Sequence, residues 1–322
     1  MKAVRVHEFG GPEVLHYEDE TVPSPGPGQI LVKVAGAGLN WADQVRREGR
    51  YPGVNPPFTM GTEASGTIEA LGPGVSEYKV GDKIIGRGSG CQAEYVTLDL
   101  DEVFHAPSNI DLVQAGGIPV IFQTAYFMLK DRAHMAKGET VLVHAGASGV
   151  GTAAIQLSKL WGARVIATSS AEDKLKIASS LGADITVNYL TQDFAEEVNK
   201  ATNGVGADVI LDGNGGTTFE KGITCLAPYG RLVIYGTNEG NGGNVNHRDL
   251  YTTNRTVIGF SRGRTPKGYL DIRGAMAEII SLIEEGALKL VVDRIMPMSG
   301  IIESHHHLSS RGSRGKSILT PD

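Results

Sequence analysis

The sequence predicts an α/β protein in which a doubly wound parallel sheet is inserted into a partly closed, barrel-like β-body. Three observations carry this. Residues 1–121 read as short strands broken by Pro and Gly turns. From Phe122 the period changes, and helical patterns alternate with short β-branched runs. After residue 260 the alternation stops, and the remaining tail is too short to fold alone. The expected domains are therefore 1–121, 122–260 and 261–322, with the last returning to the first and the site in the cleft between the two bodies.

The elements follow in order. Pro23-Ser24-Pro25-Gly26-Pro27-Gly28 precedes an apolar run at 30–34. Gly72-Pro73-Gly74 separates a run at 66–71 from the strand after Gly81-Asp82, and 93–96 adds another. Parallel strands are expected at 140–144, 164–167, 185–188, 209–211, 231–235 and 257–260. Val150, Ala153, Ala154, Leu157, Leu160 and Trp161 sit at helical spacing behind the first of these. The next helix opens at Glu172-Asp173 and ends at Gly182. The sixth run is expected to be a sheet edge. Edges tend to be paired, so a homodimer through this domain is expected. In the tail, Ile272, Met276, Ile279, Ile280 and Ile283 share one helical face, Ser299 is the cap candidate for a second helix, and Ser317-Ile318-Leu319 is a short strand.

Composition narrows the class. Apolar content of 41% and charged content of 20% describe an ordinary globular chain of 322 residues. A net charge of -6 argues against nucleic acid as a partner, which needs surplus Lys and Arg. No apolar run approaches the ~20 residues that span a bilayer. Two distant cysteines, Cys91 and Cys225, give neither a disulfide framework nor zinc-ligand spacing. The charged N-terminal segment has no apolar leader, so a cytoplasmic protein is expected.

The most specific local feature is Val141-Leu142-Val143-His144-Ala145-Gly146-Ala147-Ser148-Gly149-Val150-Gly151. An apolar run stops at closely spaced glycines and a helix begins at once, the pattern of a buried strand turning over a diphosphate. In NAD-binding units the second strand ends in an acid that takes the ribose hydroxyls. Here it ends Ala167-Thr168-Ser169-Ser170, and the nearest acids fall in the first helical turn, where they favour the dipole. Ser169, Lys174 and Tyr189 around that locus suit a 2′-phosphate, which an acid would repel. NADPH is favoured over NADH. The alternative is that Lys174 is a solvated helix lysine and Tyr189 a surface aromatic.

Arrangement and motifs together resemble the zinc-independent NADPH:quinone oxidoreductases, the zeta-crystallin-like branch of the medium-chain dehydrogenase/reductase superfamily. The resemblance runs nearly end to end. It is carried by Gly38-Leu39-Asn40-Trp41-Ala42-Asp43, Gly61-Thr62-Glu63-Ala64-Ser65-Gly66, Val80-Gly81-Asp82-Lys83, Gln123-Thr124-Ala125-Tyr126, the 145–151 turn, Gly230-Arg231-Leu232-Val233-Ile234-Tyr235-Gly236 and Arg314-Gly315-Lys316. It implies a Rossmann sheet within a GroES-like catalytic domain. It also implies diphosphate contacts from Ala147, Ser148, Gly149 and Val150, and 2′-phosphate contacts from Ser169, Lys174 and Tyr189. Asn214, Tyr235, Gly236, Thr237, Phe260, Ser261 and Arg262 would line the rest of the cofactor, with Thr124 near its phosphate and Lys316 closing from the tail. Asn40 would lie beside the nicotinamide.

Zinc-dependent relatives place a Cys where this chain has Asn40 and a His-Glu pair at Thr62-Glu63, so no metal is expected and Glu63 is read as a buried, paired carboxylate. The His305-His306-His307 run is read as a solvated helix face, since consecutive helical residues point about 100° apart. The implied reaction is hydride transfer from NADPH to a small-molecule acceptor, a quinone or an α,β-unsaturated carbonyl compound. Many relatives have a tyrosine where this chain has Val45, so Tyr51 or a water is the candidate proton source. Two alternatives stay open. One is an enoyl-thioester or 2-alkenal reductase, with Arg46, Arg47 and Arg50 as a basic entrance. The other is a non-catalytic NADPH-binding protein, structural or regulatory.

Overall fold

The computed structural model describes residues 1–238, 240 and 242–322. The chain divides into two compact units, Met1–Ile121 with Asp271–Asp322, and Phe122–Leu270.

The first unit opens with β1 (Lys2–Val6), β2 (Leu15–Asp19) and the long β3 (Gln29–Leu39), which runs directly into helix α1 (Trp41–Arg47). Strands β4 (Phe58–Thr59), β5 (Glu63–Leu71), β6 (Lys83–Arg87), β7 (Tyr95–Asp99) and β8 (Val103–His105) follow. A short helix α2 (Leu112–Ala115), capped by Asp111, then leads to α3 (Ile118–Tyr126). β3 organises this body: it pairs antiparallel with β5 and, over its first half, with β7. Two register shifts between β3 and β5 bend the sheet, as bulges do in partly closed barrels. Ile30, Val32, Ile68, Ile84, Val96 and Leu98 fill its interior.

The second unit begins within α3, which continues as a π-helical turn over Phe127–Arg132. Its strands are β9 (Thr140–Val143), β10 (Arg164–Ser169), β11 (Ile185–Asn188), β12 (Ala207–Asp212), β13 (Leu226–Ile234) and β14 (Thr256–Gly259). The interleaved helices are α4 (Gly149–Leu160), α5 (Glu172–Ser180), α6 (Phe194–Ala201), α7 (Gly216–Thr224) and α8 (His247–Tyr251). All six strands are parallel, in the order β11-β10-β9-β12-β13-β14. The order reverses between β9 and β12, the switch point at which doubly wound sheets bind nucleotides. β9 is buried along its whole length because helices cover both faces, which is why it reads as an unbroken apolar run. β14 ends the sheet as an edge.

The return segment adds α9 (Ile272–Glu284), capped by Asp271, then β15 (Val292–Pro297), α10 (Ile301–Ser309) and β16 (Lys316–Thr320). β16 pairs antiparallel with the end of β3, setting Ser317 opposite Leu39 and Leu319 opposite Ala37. Residues from the far end of the chain therefore complete the first unit's core, among them Met298, Ile301 and Leu319.

The histidine run corrects the sequence reading. His305 is fully buried, and its Nδ1 meets the Arg47 guanidinium at 2.9 Å. His307 is 2.7 Å from Asp293. Ile301, Ser304, His305 and Leu308 fall at i, i+3, i+4 and i+7, so His305 lies on the stripe that faces the core. Burial and the neighbouring Arg47 charge hold the His305 imidazole neutral, with its pKa down to about 3.

Candidate active site

In the second unit the predicted residues gather at the carboxyl ends of the parallel strands. β9 runs out into His144 and then Ala145, a non-glycine residue at φ 51°. Ser148 caps α4, and its hydroxyl accepts the Gly151 N–H at 3.1 Å. The next residue's N–H, from Thr152, bonds the Ser148 carbonyl. That leaves the N–H groups of Gly149 and Val150, in the half-exposed first turn, as the donors an anion can take. Glycine is required at 151, because a Cβ there would lie 2.3 Å from the Ala145 carbonyl oxygen. Ala147 is buried under the turn.

Ser169 ends β10, and its carbonyl accepts the Tyr189 N–H at 3.1 Å, which brings the ends of β10 and β11 together. No carboxylate ends β10. Lys174 lies in the first turn of α5 and is largely buried, while Tyr189 is exposed. Two loops interlock after β12 and β13. The Asp212 carboxylate accepts the N–H groups of Asn214 and Gly215 at 2.7 and 3.1 Å. The Tyr235 ring lies against Gly213, where a Cβ would be 2.8 Å from Cζ. The Asn238 N–H returns to the Gly213 carbonyl at 3.1 Å, and Gly236 and Thr237 lie between these anchors. Burial, then the Asp212 charge, push the Tyr235 hydroxyl pKa up. Phe260 is held to the end of β13 by its N–H on the Ile234 carbonyl at 2.8 Å, and Ser261 follows exposed. Arg262 donates to Gln123 at 3.0 Å, beside Thr124 on α3.

Sequence reasoning missed Asp212, although Asp-Gly-Asn-Gly is a turn signal in which the first carboxylate bonds backbone two residues on. His144 was also passed over. It is buried, its Nδ1 lies 3.1 Å from the Thr168 hydroxyl, and desolvation lowers its pKa to about 4.

In the first unit the candidates sit where β3 meets α1. Asn40 is the N-terminal cap of α1, and its own N–H is taken by the Asp43 carboxylate at 2.8 Å. Its side chain turns the other way, onto a buried ion pair. Nδ2 donates to Glu63 Oε1 at 2.8 Å, while Oδ1 accepts from Lys316 Nζ at 2.5 Å. Lys316 Nζ also meets Glu63 Oε1 at 2.6 Å and the Leu39 carbonyl at 3.0 Å. Glu63 Oε2 accepts the Val120 N–H at 2.6 Å. Glu63 is 0% exposed, Lys316 2% and Asn40 9%. Gly38 makes the space: a Cβ there would be 2.3 Å from Glu63 Oε1. Asp43 is fully buried as well, and desolvation raises its carboxyl to about 6 against the pull of Arg46 and Lys316. Lys316, expected at the cofactor, is thus turned inward beneath Asn40. Tyr51, beyond the end of α1, is half-buried with the Arg46 guanidinium 5.4 Å from its ring centre.

This donor set does not fit zinc. A catalytic zinc site needs three protein ligands that include thiolate or imidazole donors, whereas here an amide and one carboxylate share a lysine ammonium. The ammonium already supplies the cation that Glu63 requires.

Residues 26–108 match the family model described as alcohol dehydrogenase GroES-like domain, and residues 149–284 the model described as zinc-binding dehydrogenase. These are the two halves of a medium-chain dehydrogenase/reductase. The quinone oxidoreductase of Pseudomonas aeruginosa is 31% identical, covering 99% of each chain. A 2-haloacrylate reductase from a Burkholderia species is 30% identical over 100% of this chain and 99% of its own. The structure of Escherichia coli quinone oxidoreductase complexed with NADPH superposes with a TM-score of 0.93 at 30% identity, covering 100% of both. The chain belongs to the quinone oxidoreductase, zeta-crystallin-like branch of that superfamily.

Proposed function

We propose that the protein is an NADPH-dependent reductase that passes a hydride to quinones or to activated alkenes, the α,β-unsaturated carbonyl compounds. The carboxyl edge of the parallel sheet carries the reading: a glycine turn at the switch point, followed by a strand with no terminal acid. The NADPH complex of the E. coli relative and the reductase named for haloacrylate support it.

Gly149 and Val150 would hold the diphosphate on their free N–H groups, with Ala147 and Ser148 shaping the turn. Ser169, Lys174 and Tyr189 would take the 2′-phosphate. Asn214, Tyr235, Gly236, Thr237, Phe260, Ser261 and Arg262 would line the nicotinamide half, with Thr124 beside them. When bound, the cofactor supplies a hydride from C4 of its reduced ring; the acceptor gains that hydride and one proton. On the acceptor side the protein contributes Asn40 and Tyr51. Glu63 and Lys316 fix the Asn40 amide from both ends. Its second N–H makes only long hydrogen bonds of 3.4 Å, to the Gly38 carbonyl and the Thr62 hydroxyl, and in this reading it would exchange them for a substrate carbonyl. A donor held in place before reaction stabilises the enolate oxygen without reorganisation. Tyr51 is the proton donor in this reading.

The reading includes a cytoplasmic homodimer joined through the β14 edge. Among the described residues, no helix is long and apolar enough to cross a membrane. Steady-state NADPH oxidation against phenanthrenequinone, 2-alkenals and crotonyl-CoA tests the function. Turnover with a quinone or an enal is expected. Tight NADPH binding with no turnover on any acceptor would overturn it in favour of a non-catalytic nucleotide-binding protein.

A further inference from the structure

Three arginines follow Asn40, and the reaction above uses none of them. The structure separates their roles. Arg47 is buried and fully committed: it donates to the Gly10 carbonyl at 3.1 Å, meets His305 Nδ1 at 2.9 Å and pairs with Glu48 at 3.2 Å. Arg50 is exposed and pairs with the other oxygen of Glu48. Arg46 has no such partner. Among the described residues no carboxylate lies within ion-pair distance of it, and its Nε and Nη1 are buried without a hydrogen bond. It lies one turn beyond Asp43, whose carboxyl it helps to keep ionised, yet the hydrogen bond that the Asp43 carboxylate accepts comes from the Asn40 N–H.

Two guanidinium nitrogens shielded from water with no acceptor cost free energy, and the cost is recovered only when an acceptor arrives. The Tyr51 ring beneath it favours a flat, fixed guanidinium, the form that grips a carboxylate by two parallel hydrogen bonds. The Arg46 guanidinium lies 5.4 Å from the ring centre of Tyr51, the proton donor of the reading above, which in that reading places it beside the acceptor. A carrier with several phosphates would need several free cations, and Arg47 and Arg50 are already taken.

We infer that Arg46 is a specificity-determining residue that selects acceptors carrying a carboxylate, so that the favoured substrates are activated alkenoic acids. This rests on the reductase reading above. The test compares trans-benzoylacrylate with its methyl ester, two equally conjugated acceptors that differ by one charge, with menadione as a third acceptor. The native enzyme should favour the acid in kcat/KM. Arg46→Met should lower the acid-to-ester ratio about ten- to hundredfold, the range for losing a charged hydrogen-bonded pair, and Arg46→Lys should restore part of it. A merely structural role would lower both acceptors together and leave the ratio unchanged, which overturns the inference, as does a native preference for the ester. Calorimetric binding of benzoylpropionate, the saturated acid, to the NADPH-loaded protein reads the same contact without turnover. Arg46-dependent binding with no reduction of any acceptor would sink the reductase reading and keep the acid site. Reduction of menadione and ester, with no binding of the acid, would do the reverse.

Discussion

The glycine turn of the second unit and the polar floor of the first handle burial in opposite ways. At 145–151 side chains are removed so that backbone can approach backbone and leave two N–H groups facing out. Beneath Asn40 the chain instead buries an ammonium, two carboxylates and an amide within a few ångströms of one another. In the proposed reading the turn would bind with dipoles that exist in any helix; the floor holds one amide in one orientation with charges that must stay paired. The contrast makes the two regions differ in what damages them.

The floor should show the largest effect. Lys316→Met leaves Glu63 buried without its cation and should cost about 3–5 kcal/mol in urea unfolding. Adding Glu63→Gln should recover most of that loss, because a neutral pair needs no counter-charge. A small cost for the single variant, or no recovery in the double, would show that the pair does not hold the floor. Next comes acid. His144 is neutral in the fold because burial lowers its pKa from 6.5 to about 4, while the unfolded chain still takes up the proton near 6.5. Its contribution is therefore present above pH 6.5 and is lost as pH falls from 6.5 towards 4, by an amount on the order of 3 kcal/mol. His305 acts in the same direction. Asp43, raised from 3.8 to about 6, acts in the opposite one, costing stability as pH rises through that window. His144→Gln should flatten the fall in urea midpoint between pH 6.5 and 4.5; an unchanged slope would remove His144 as its source. The turn should show the smallest stability effect but a sharp functional one. Gly151→Ala overpacks the Ala145 carbonyl and should cost about 1–3 kcal/mol while abolishing NADPH binding by fluorescence titration. Unimpaired binding would mean that the backbone approach is not needed.

The same contrast explains how far the sequence could be read. The six parallel strands were legible because a sheet covered on both faces writes itself as short apolar runs. The glycine turn was legible because its cause and effect lie within seven residues. The edge position of β14 and the return of a closing strand to the first unit followed from the end of the alternation; that β16 pairs antiparallel with β3 came from the structure. The floor was not legible in this way. Asn40 and Lys316 are 276 residues apart and meet only because β16 closes onto β3. Family resemblance pointed to both residues, and placed Lys316 at the cofactor, but could not show its ammonium turned beneath Asn40. His305 was hidden for a different reason: three adjacent histidines look solvated, and only the i, i+3, i+4, i+7 stripe shows which one faces inward. Arg46 needed the structure too, since its isolation depends on where Glu48 and His305 direct its neighbours.

In the proposed reading, the acid-free end of β10 makes this an NADPH enzyme. The most direct test is the ratio of kcat/KM for NADPH over NADH with menadione, in the native protein and in Lys174→Ala. The native ratio should be well above one and should fall about tenfold or more in the variant, the loss of a charged contact to the 2′-phosphate. A native preference for NADH, or an equal loss with both cofactors in Lys174→Ala, would contradict it.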